Sequence, residues 1–298
     1  MNIAIGLFCK NSRHNLADWL FGIRAQTRQP DRIFAIDGLS DDGTVEFLKK
    51  NKVEVFSEKD NSPQEAFFKM LKKNTSDIFI CSLADEQLLP DAIKNACLIF
   101  EKNPDIDILT RDILVVDSES KQETIAKGRP FHLKSYMRTD FSPHFAASFF
   151  QQKAFQKINL WNHHWTPENI GEYELWFYAA KACHISYVPG IVSRYTNRGE
   201  FQLSSSPFSN LDVCKKRIQF VKKLKQKKLI SIFEQYFYIS GILKNSLGFV
   251  LGMIKKTKKR PSKNITFLIN EIFNEARWFF NLRTLKYYFK LKKQLLQK

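Results

Sequence analysis

Over the first hundred residues, short apolar runs alternate with segments of helical periodicity. Asn2–Phe8 predicts a buried strand. Asn11 or Ser12 can then cap a helix that carries Leu16, Trp19, Leu20 and Ile23 on one face. Arg32–Ile36 reads as the second strand and Thr44–Lys50 as the second helix, with Ser40, Asp41 and Asp42 as natural N-cap residues. A third strand over Val53–Phe56 leads to a helix over Ser62–Lys73, which Ser62 can cap with Pro63 at its first position. Ile78–Ser82 and Pro90–Glu101 give the fourth strand and fourth helix. Strands interleaved with helices at this spacing predict an α/β fold, a parallel sheet covered on both faces. Farther on, Asp107–Asp117 reads as strand, Ser118–Lys121 as a hairpin turn and Pro130–Thr139 as irregular. Gln151–Ile158 and Gly171–Ala182 read as helices, and Ile185–Val188 as a closing strand.

Charge divides the chain. Ser205–Lys298 holds 22 Lys and Arg against four acids, Asp212, Glu234, Glu271 and Glu275, a net +18. The remaining 204 residues hold 25 basic and 26 acidic groups, a net −1, which together give the +17 of the whole. A near-neutral α/β domain over residues 1–204 and a basic, mostly helical region over 205–298 follow. Within the second, Leu229–Ile254 is long enough to span a bilayer, but Glu234, Gln235, Lys244 and Asn245 interrupt it, so a spanning helix is not expected. The five cysteines are scattered with no Cys-x-x-Cys pair, which supports neither a zinc site nor a disulfide framework. Met1-Asn-Ile-Ala shows no secretory leader, so a cytoplasmic location is expected.

Chemistry concentrates at the predicted strand ends. In Phe34-Ala-Ile-Asp-Gly-Leu-Ser-Asp-Asp-Gly-Thr44 a carboxylate, Asp37, ends a strand just before a small-residue turn and a helix start. Such a carboxylate can accept hydrogen bonds from a base or ribose while the turn lets backbone approach closely, and the same pattern also suits an ordinary Asp-rich turn. Asp85 lies at the next such end. His163-His164 invites a metal reading, but adjacent side chains diverge and no third ligand is spaced nearby; loop polarity is the simpler account.

Five segments in order resemble the nucleotide-sugar-binding half of family 2 glycosyltransferases, which have the GT-A fold, a Rossmann-like, mostly parallel sheet sandwiched by helices. They are Ile3-Ala-Ile-Gly-Leu-Phe-Cys-Lys-Asn11, Ala25-Gln-Thr-Arg-Gln-Pro30, Ile36-Asp-Gly-Leu-Ser-Asp-Asp-Gly-Thr44, Ser57-Glu-Lys-Asp60 and Asp77–Pro90. The resemblance implies inverting transfer of a sugar from a nucleotide-diphosphate donor, of UDP type, to an acceptor hydroxyl. It places Asn11, Asp37, Gly38, Ser40 and Asp60 at the nucleotide sugar. The family's Asp-x-Asp falls on Leu83-Ala-Asp85, which lacks the first carboxylate; Asp85 with Glu86 is then expected to hold a divalent cation, Mn2+ or Mg2+. Ile170-Gly-Glu-Tyr-Glu-Leu-Trp176 is similar to the family's catalytic segment and puts the general base at Glu172, with His144 and Trp176 on the acceptor side. Glu172 and Glu174 could also be surface acids flanking an aromatic core stripe. Phe68 and Met70 stand where the family often has Asn and Gly.

A lipid-linked or glycan acceptor of bacterial polysaccharide or lipopolysaccharide synthesis accounts for the transferase resemblance and the basic region together. Lysine-rich amphipathic helices with aromatic faces suit an anionic membrane surface, so a peripheral position on the inner face of the cell membrane is expected, with a homo-oligomer possible. Nucleic acid would explain only the basic region, and no recognition motif for it occurs. The competing reading is a degenerate GT-A scaffold that binds partners through that region, and a bundle of solvated helices explains part of the region either way.

Overall fold

The computed structural model describes residues 1–159, 171–197, 207–257, 263–276 and 279–296. His163 and His164 lie outside the described residues. The chain forms two compact units, Met1–Phe131 with Pro143–Arg198, and His132–Ser142 with Gly199–Lys298.

The first unit is built on a mixed sheet. Strands β1 (Ile3–Cys9), β2 (Arg32–Asp37), β3 (Glu54–Ser57) and β4 (Ile78–Ser82) form its parallel block in the order β3-β2-β1-β4. The strands β5 (Glu86–Leu88), β6 (Ile108–Asp117), β7 (Glu123–Ala126), β8 (Ser148–Gln151) and β9 (Ile185–Asn197) extend it as β4-β8-β6-β9-β5, with β7 paired to β6. β8 runs antiparallel to both β4 and β6, while β6 and β9 run parallel. This is the mostly parallel, helix-flanked GT-A architecture.

Both faces of the block are covered, which is why β1 reads as an unbroken apolar run. Ile3, Ile5 and Leu7 pack into one core with Leu16, Trp19, Leu20 and Ile23 of helix α1 (Leu16–Arg24) and Ile93, Ala96, Cys97 and Phe100 of α4 (Ala92–Lys102). Helices α2 (Thr44–Lys50) and α3 (Pro63–Lys73) complete the alternation. On the other face, Phe34 stacks on Phe79, Phe79 meets Phe155 of α6 (Gln152–Lys157), and Phe150 packs on Phe155 and on Trp176 of α7 (Glu172–Ala182).

Boundaries shift where side chains capture backbone. The first helix starts at Leu16, later than a cap at Asn11 or Ser12 would put it. The N–H groups of Asn11, Ser12 and Arg13 donate instead to Ser40 Oγ, Thr44 Oγ1 and Asp42 Oδ2 at 2.8, 2.9 and 2.9 Å. Asn11 adopts the left-handed conformation (φ 49°) at this corner. Ser62 caps α3 as expected, its Oγ accepting from Glu65 N–H at 3.2 Å with Pro63 at the first position. Pro130–Thr139 is not irregular throughout: it contains the short helix α5 (Leu133–Met137). The closing strand is 13 residues long and runs on to Asn197, because it pairs with β6 and β5 together.

The second unit is a helical assembly of α5 with α8 (Pro207–Gln226), α9 (Ile232–Thr257), α10 (Lys263–Ala276) and α11 (Leu282–Leu296). Buried Leu211, Cys214, Ile218, Val221 and Leu224 recur three or four residues apart along α8, the signature of one apolar stripe. Ile239, Leu243, Leu247 and Val250 do the same along α9, with Tyr238 and Ile242 beside them. That stripe accounts for the apolar stretch of α9, and no helix among the described residues is long and apolar enough to cross a membrane. The α5 segment is fastened to α9: Asn245 Nδ2 donates to Arg138 O and Asp140 Oδ1, both at 3.0 Å, and Lys244 pairs with Asp140 at 3.2 Å.

One buried charge in the sheet offers a stability test. Asp107 is fully buried beside β6, and burial alone would raise its carboxyl; hydrogen bonds from Lys157 Nζ and the His184 N–H hold it below its ordinary value of 3.8. A depressed folded value means the stabilisation is complete above the ordinary value and is lost as pH falls through the folded one. Asp107→Asn should therefore cost about 1–3 kcal/mol near neutrality. Thermal melts should show the gap from the parent chain closing as pH drops below the ordinary carboxylate range. A gap that stays constant with pH would contradict this account.

Candidate functional site

The carboxyl ends of β3, β2, β1 and β4 lie along one edge, as the register requires. Ser57 pairs with Asp37, Asp37 with Cys9, and Leu7 with Ser82. Four connections leave the sheet there.

Asp37 anchors the first two. Its side chain is fully buried, and its oxygens accept hydrogen bonds from Ser40 Oγ, Ser40 N–H and Ser57 Oγ. A buried carboxylate without partners is costly, and these three donors satisfy it. Asp37 thus holds the turn, and Ser40 transmits that hold by accepting from Asn11 N–H. Asn11 Oδ1 in return accepts from Asp41 N–H at 3.0 Å. Asn11, Asp37 and Ser40 are brought together, but as a mutually bonded corner in which Asp37 shows no accessible surface. Ser57 belongs to this corner as well. Sequence reading passed over it, although it opens the Ser57-Glu-Lys-Asp60 segment and ends a strand.

Gly38 and Asp60 meet. A Cβ on residue 38 would lie 2.5 Å from Asp60 Oδ2 and 3.4 Å from Lys10 Cδ, so only glycine leaves room for that carboxylate. Partial burial raises Asp60 above its ordinary value, while Lys10 and Lys69 pull it down. Lys10, a cation beside the turn, has no distinguishing signal in the sequence. Cys9 sits beneath: burial, then the fields of Asp37, Asp42 and Asp60, push its thiol up to about 12. The largest part of that rise comes from burial, and the three carboxylates add to it.

At the end of β4, Trp19 Nε1 donates to Ser82 Oγ at 2.9 Å and ties the strand to α1. Leu83 and Glu86 close a turn on each other: Glu86 N–H donates to Leu83 O at 3.2 Å, and Leu83 N–H donates to Glu86 Oε2 at 2.8 Å. Glu86 is buried and begins β5, so its carboxyl shapes the turn from inside. Its expected place as an open cation ligand beside Asp85 is corrected on this ground. Asp85 is half-buried, its carbonyl accepting from Thr196 N–H of β9. Burial raises the Glu86 carboxyl well above its ordinary value, and the charges of Asp85 and Glu172 add to the rise.

The same interaction locates Glu172. Gly171 precedes α7 with φ 52°, and a Cβ there would approach Gln64 Cγ at 3.0 Å, which sets the start of α7 beside the start of α3. Glu172 is the first residue of the helix, and its field reaches both Cys81 and Glu86 at the end of β4. Glu174 acts instead on Tyr178 of its own helix. Trp176 is fully buried, stacked on Phe131 with ring centroids 5.4 Å apart and packed against Phe145 and Phe150. It packs as a core residue, with Tyr173 and Phe177, and not on an open face where an acceptor was expected. His144 is half-buried just before a 3-10 turn (Phe145–Ala147), and burial pulls its imidazole below its ordinary value. Phe68 and Met70 are buried in α3, where Met70 packs over Gly6 of β1. Those side chains fill the sheet face and leave no exposed glycine there.

These carboxylates, turns and hydroxyls gather at the carboxyl edge of a parallel block, where such sheets generally bind ligands, and residues 5–158 match the Glycosyl transferase family 2 description. The chain belongs to this family. It is a nucleotide-sugar glycosyltransferase. TarS (residues 1–349) of S. aureus in complex with UDP-GlcNAc is structurally similar with TM-score 0.64 at 13% identity, covering 99% of this chain and 89% of that one. The mannosyltransferase PcManGT of Pyrobaculum calidifontis in complex with GDP-Man and Mn2+ is similar with TM-score 0.57 at 12% identity, covering 99% and 85%. At these identities the likeness speaks for the fold alone. No curated protein matches the chain by sequence.

The Gly38–Asp60 approach yields a direct test in this glycosyltransferase. Gly38→Ala should displace the Asp60 carboxylate and raise KM for the donor about ten-fold. The unfolding midpoint should move little, because the atom the new methyl meets is the far end of the Asp60 side chain, which can swing away. An unchanged KM would remove Asp60 from the donor site.

Proposed function

We propose that the protein transfers a sugar, with inversion, from a UDP-sugar to a lipid-linked or surface-glycan acceptor in bacterial polysaccharide or lipopolysaccharide synthesis, at the cytoplasmic face of the cell membrane. The observation that carries this reading is that buried Glu86, at the turn after β4, feels the charges of both Asp85 and Glu172, on the same edge as the Asp37–Gly38–Asp60 corner. Glu172 is the group with a proton-accepting role. At the start of α7 it takes the proton from the acceptor hydroxyl as that oxygen attacks the anomeric carbon. The diphosphate leaves from the opposite face, so a single displacement inverts the centre.

The donor's phosphates arrive at an edge rich in acids, where Asp37, Asp42 and Asp60 already act on Cys9. Positive charge is needed there, and Lys10 supplies part of it. Among the described residues no three His, Cys, Asp or Glu side chains form a metal cage. That suits an ion shared with substrate: magnesium is commonly held by one or two carboxylates plus substrate phosphates. Asp85 would be the carboxylate ligand, with Glu86 fixing the turn that presents it. A magnesium or manganese ion, when bound, supplies charge neutralisation at the departing diphosphate. Leu83 leaves this site one carboxylate short of the family's pattern. Asn11, Ser40 and Asp37 act by fixing the two loops that flank the nucleoside, and Asp60 by direct contact. His144 lies on the acceptor side. UDP-GlcNAc in one structural neighbour and GDP-Man with Mn2+ in the other support a nucleotide-sugar donor and a divalent ion.

Calorimetric titration of UDP- and GDP-sugars with and without manganese tests the donor site. Manganese-dependent binding of UDP-sugars should weaken at least about ten-fold in Asp85→Ala, the loss of one strong ligand contact. Glu172→Gln should keep donor binding while transfer to an isolated lipid-linked acceptor falls by about 10²–10⁴. Full transfer by Glu172→Gln would overturn its role, and donor binding indifferent to manganese would overturn that of Asp85.

A further inference from the structure

We propose that the turn between α8 and α9 is a membrane-insertion tip that seats the protein on an anionic lipid surface. This rests on the membrane location proposed above and names the element responsible for it. Large apolar side chains gather here in the open. Leu229 is 43% exposed, Ile232 59%, Phe233 83% and Tyr236 45%. Ile232, Phe233 and Tyr236 fall on one side of the first turn of α9 by helical spacing. They are held outward by a capping box: Ser231 Oγ accepts from Glu234 N–H at 3.1 Å, and Glu234 Oε2 accepts from Ser231 N–H at 2.8 Å. A rigid start to α9 keeps these side chains from folding back onto the buried stripe. Phe279 stands next to Tyr236, ring centroids 6.1 Å apart, and widens the patch.

Charge identifies the occupant. From Val213 to Phe233 the chain has eight basic residues and no acid. Five of them, Lys222, Lys223, Lys225, Lys227 and Lys228, lie at the end of α8 and in the turn itself, just before the apolar tip in sequence. A second copy of the chain would bring these lysines against their own kind. A bilayer with anionic headgroups accepts both halves of the pattern, with the lysines at the phosphates and Phe233 and Ile232 below them.

The test measures co-sedimentation of the full chain with phosphatidylcholine vesicles, with and without phosphatidylglycerol, and transfer to a water-soluble acceptor analogue. The parent chain should bind only the anionic vesicles. Ile232→Ser/Phe233→Ser should bind them at least about ten-fold more weakly, as expected for removing two inserted apolar side chains. Both residues are exposed, so folding and transfer to the soluble acceptor should be unchanged. Phe289→Ser, a comparably exposed phenylalanine (59%) on the equally basic α11, should bind as the parent does. If Phe289→Ser loses binding and the tip variant keeps it, the tip assignment is wrong while the membrane location stands. If the parent binds no anionic vesicle, or binds single-stranded RNA in its place, both fail.

Discussion

A buried carboxylate at the end of a central strand sets the geometry on which the site depends. Asp37 has no accessible surface, and burying such a group is tolerable only when its lone pairs are matched. The matching donors come from its own turn, Ser40, and from the end of the neighbouring strand, Ser57. The requirement to satisfy one charge therefore fixes two loops. Ser40 passes the constraint to the β1 loop through Asn11, and Asp42 and Thr44 repeat it for Arg13 and Ser12. Three consecutive backbone N–H groups that would otherwise open a helix are diverted to side chains of the next connection. The price is a helix that starts at Leu16; the gain is a stiff pair of loops at the ligand edge.

The end of β4 solves a related problem by other means. There a buried glutamate, Glu86, bonds the backbone of Leu83 and is bonded by it in return, so a turn that carries one carboxylate outward is held by another turned inward. The two corners differ in what they can offer a ligand. The Asp37 corner presents backbone, Lys10 and Asp60 beside a glycine. The Glu86 corner presents Asp85, with Glu172 within electrostatic reach of the same turn. Division of one sheet edge into two separate corners follows from strand order, since β1 separates β2 from β4.

Most of this edge was legible in the sequence because it is local. A strand followed within a few residues by Asp, Gly and Ser has few ways to fold, and Thr44–Lys50, Ser62–Lys73 and Ile78–Ser82 form where the pattern places them. What escaped was set by orientation and by distant pairing. Trp176 lies four residues after Glu172 in a recognised segment, yet the segment fixes residue types and not which face of α7 meets Phe131 and Phe150. Sequence adjacency suggests Asp85 and Glu86 as a pair of ligands, but neighbours entering a strand point to opposite sides, so one of the two turns inward. The strands β5 and β8 have three and four residues, too few for periodicity to register, and exist because β9, β4 and β6 offer them partners.

The helical unit separates what folding needs from what it does not. Stripes at three- and four-residue spacing on α8 and α9 are enough to build its core, and the Asn245 and Lys244 bonds to Arg138 and Asp140 fasten α5 to it. None of this calls for a net charge of +18 over residues 205–298. Like charge at that density opposes compaction through self-repulsion, and an 83% exposed phenylalanine gains nothing from the fold. Both features lower stability in water, and both cease to do so against a surface that is negative outside and apolar beneath. The proposed insertion tip at the turn that opens α9 would put both features to use, with the exposed phenylalanine next to the lysines of residues 222–228.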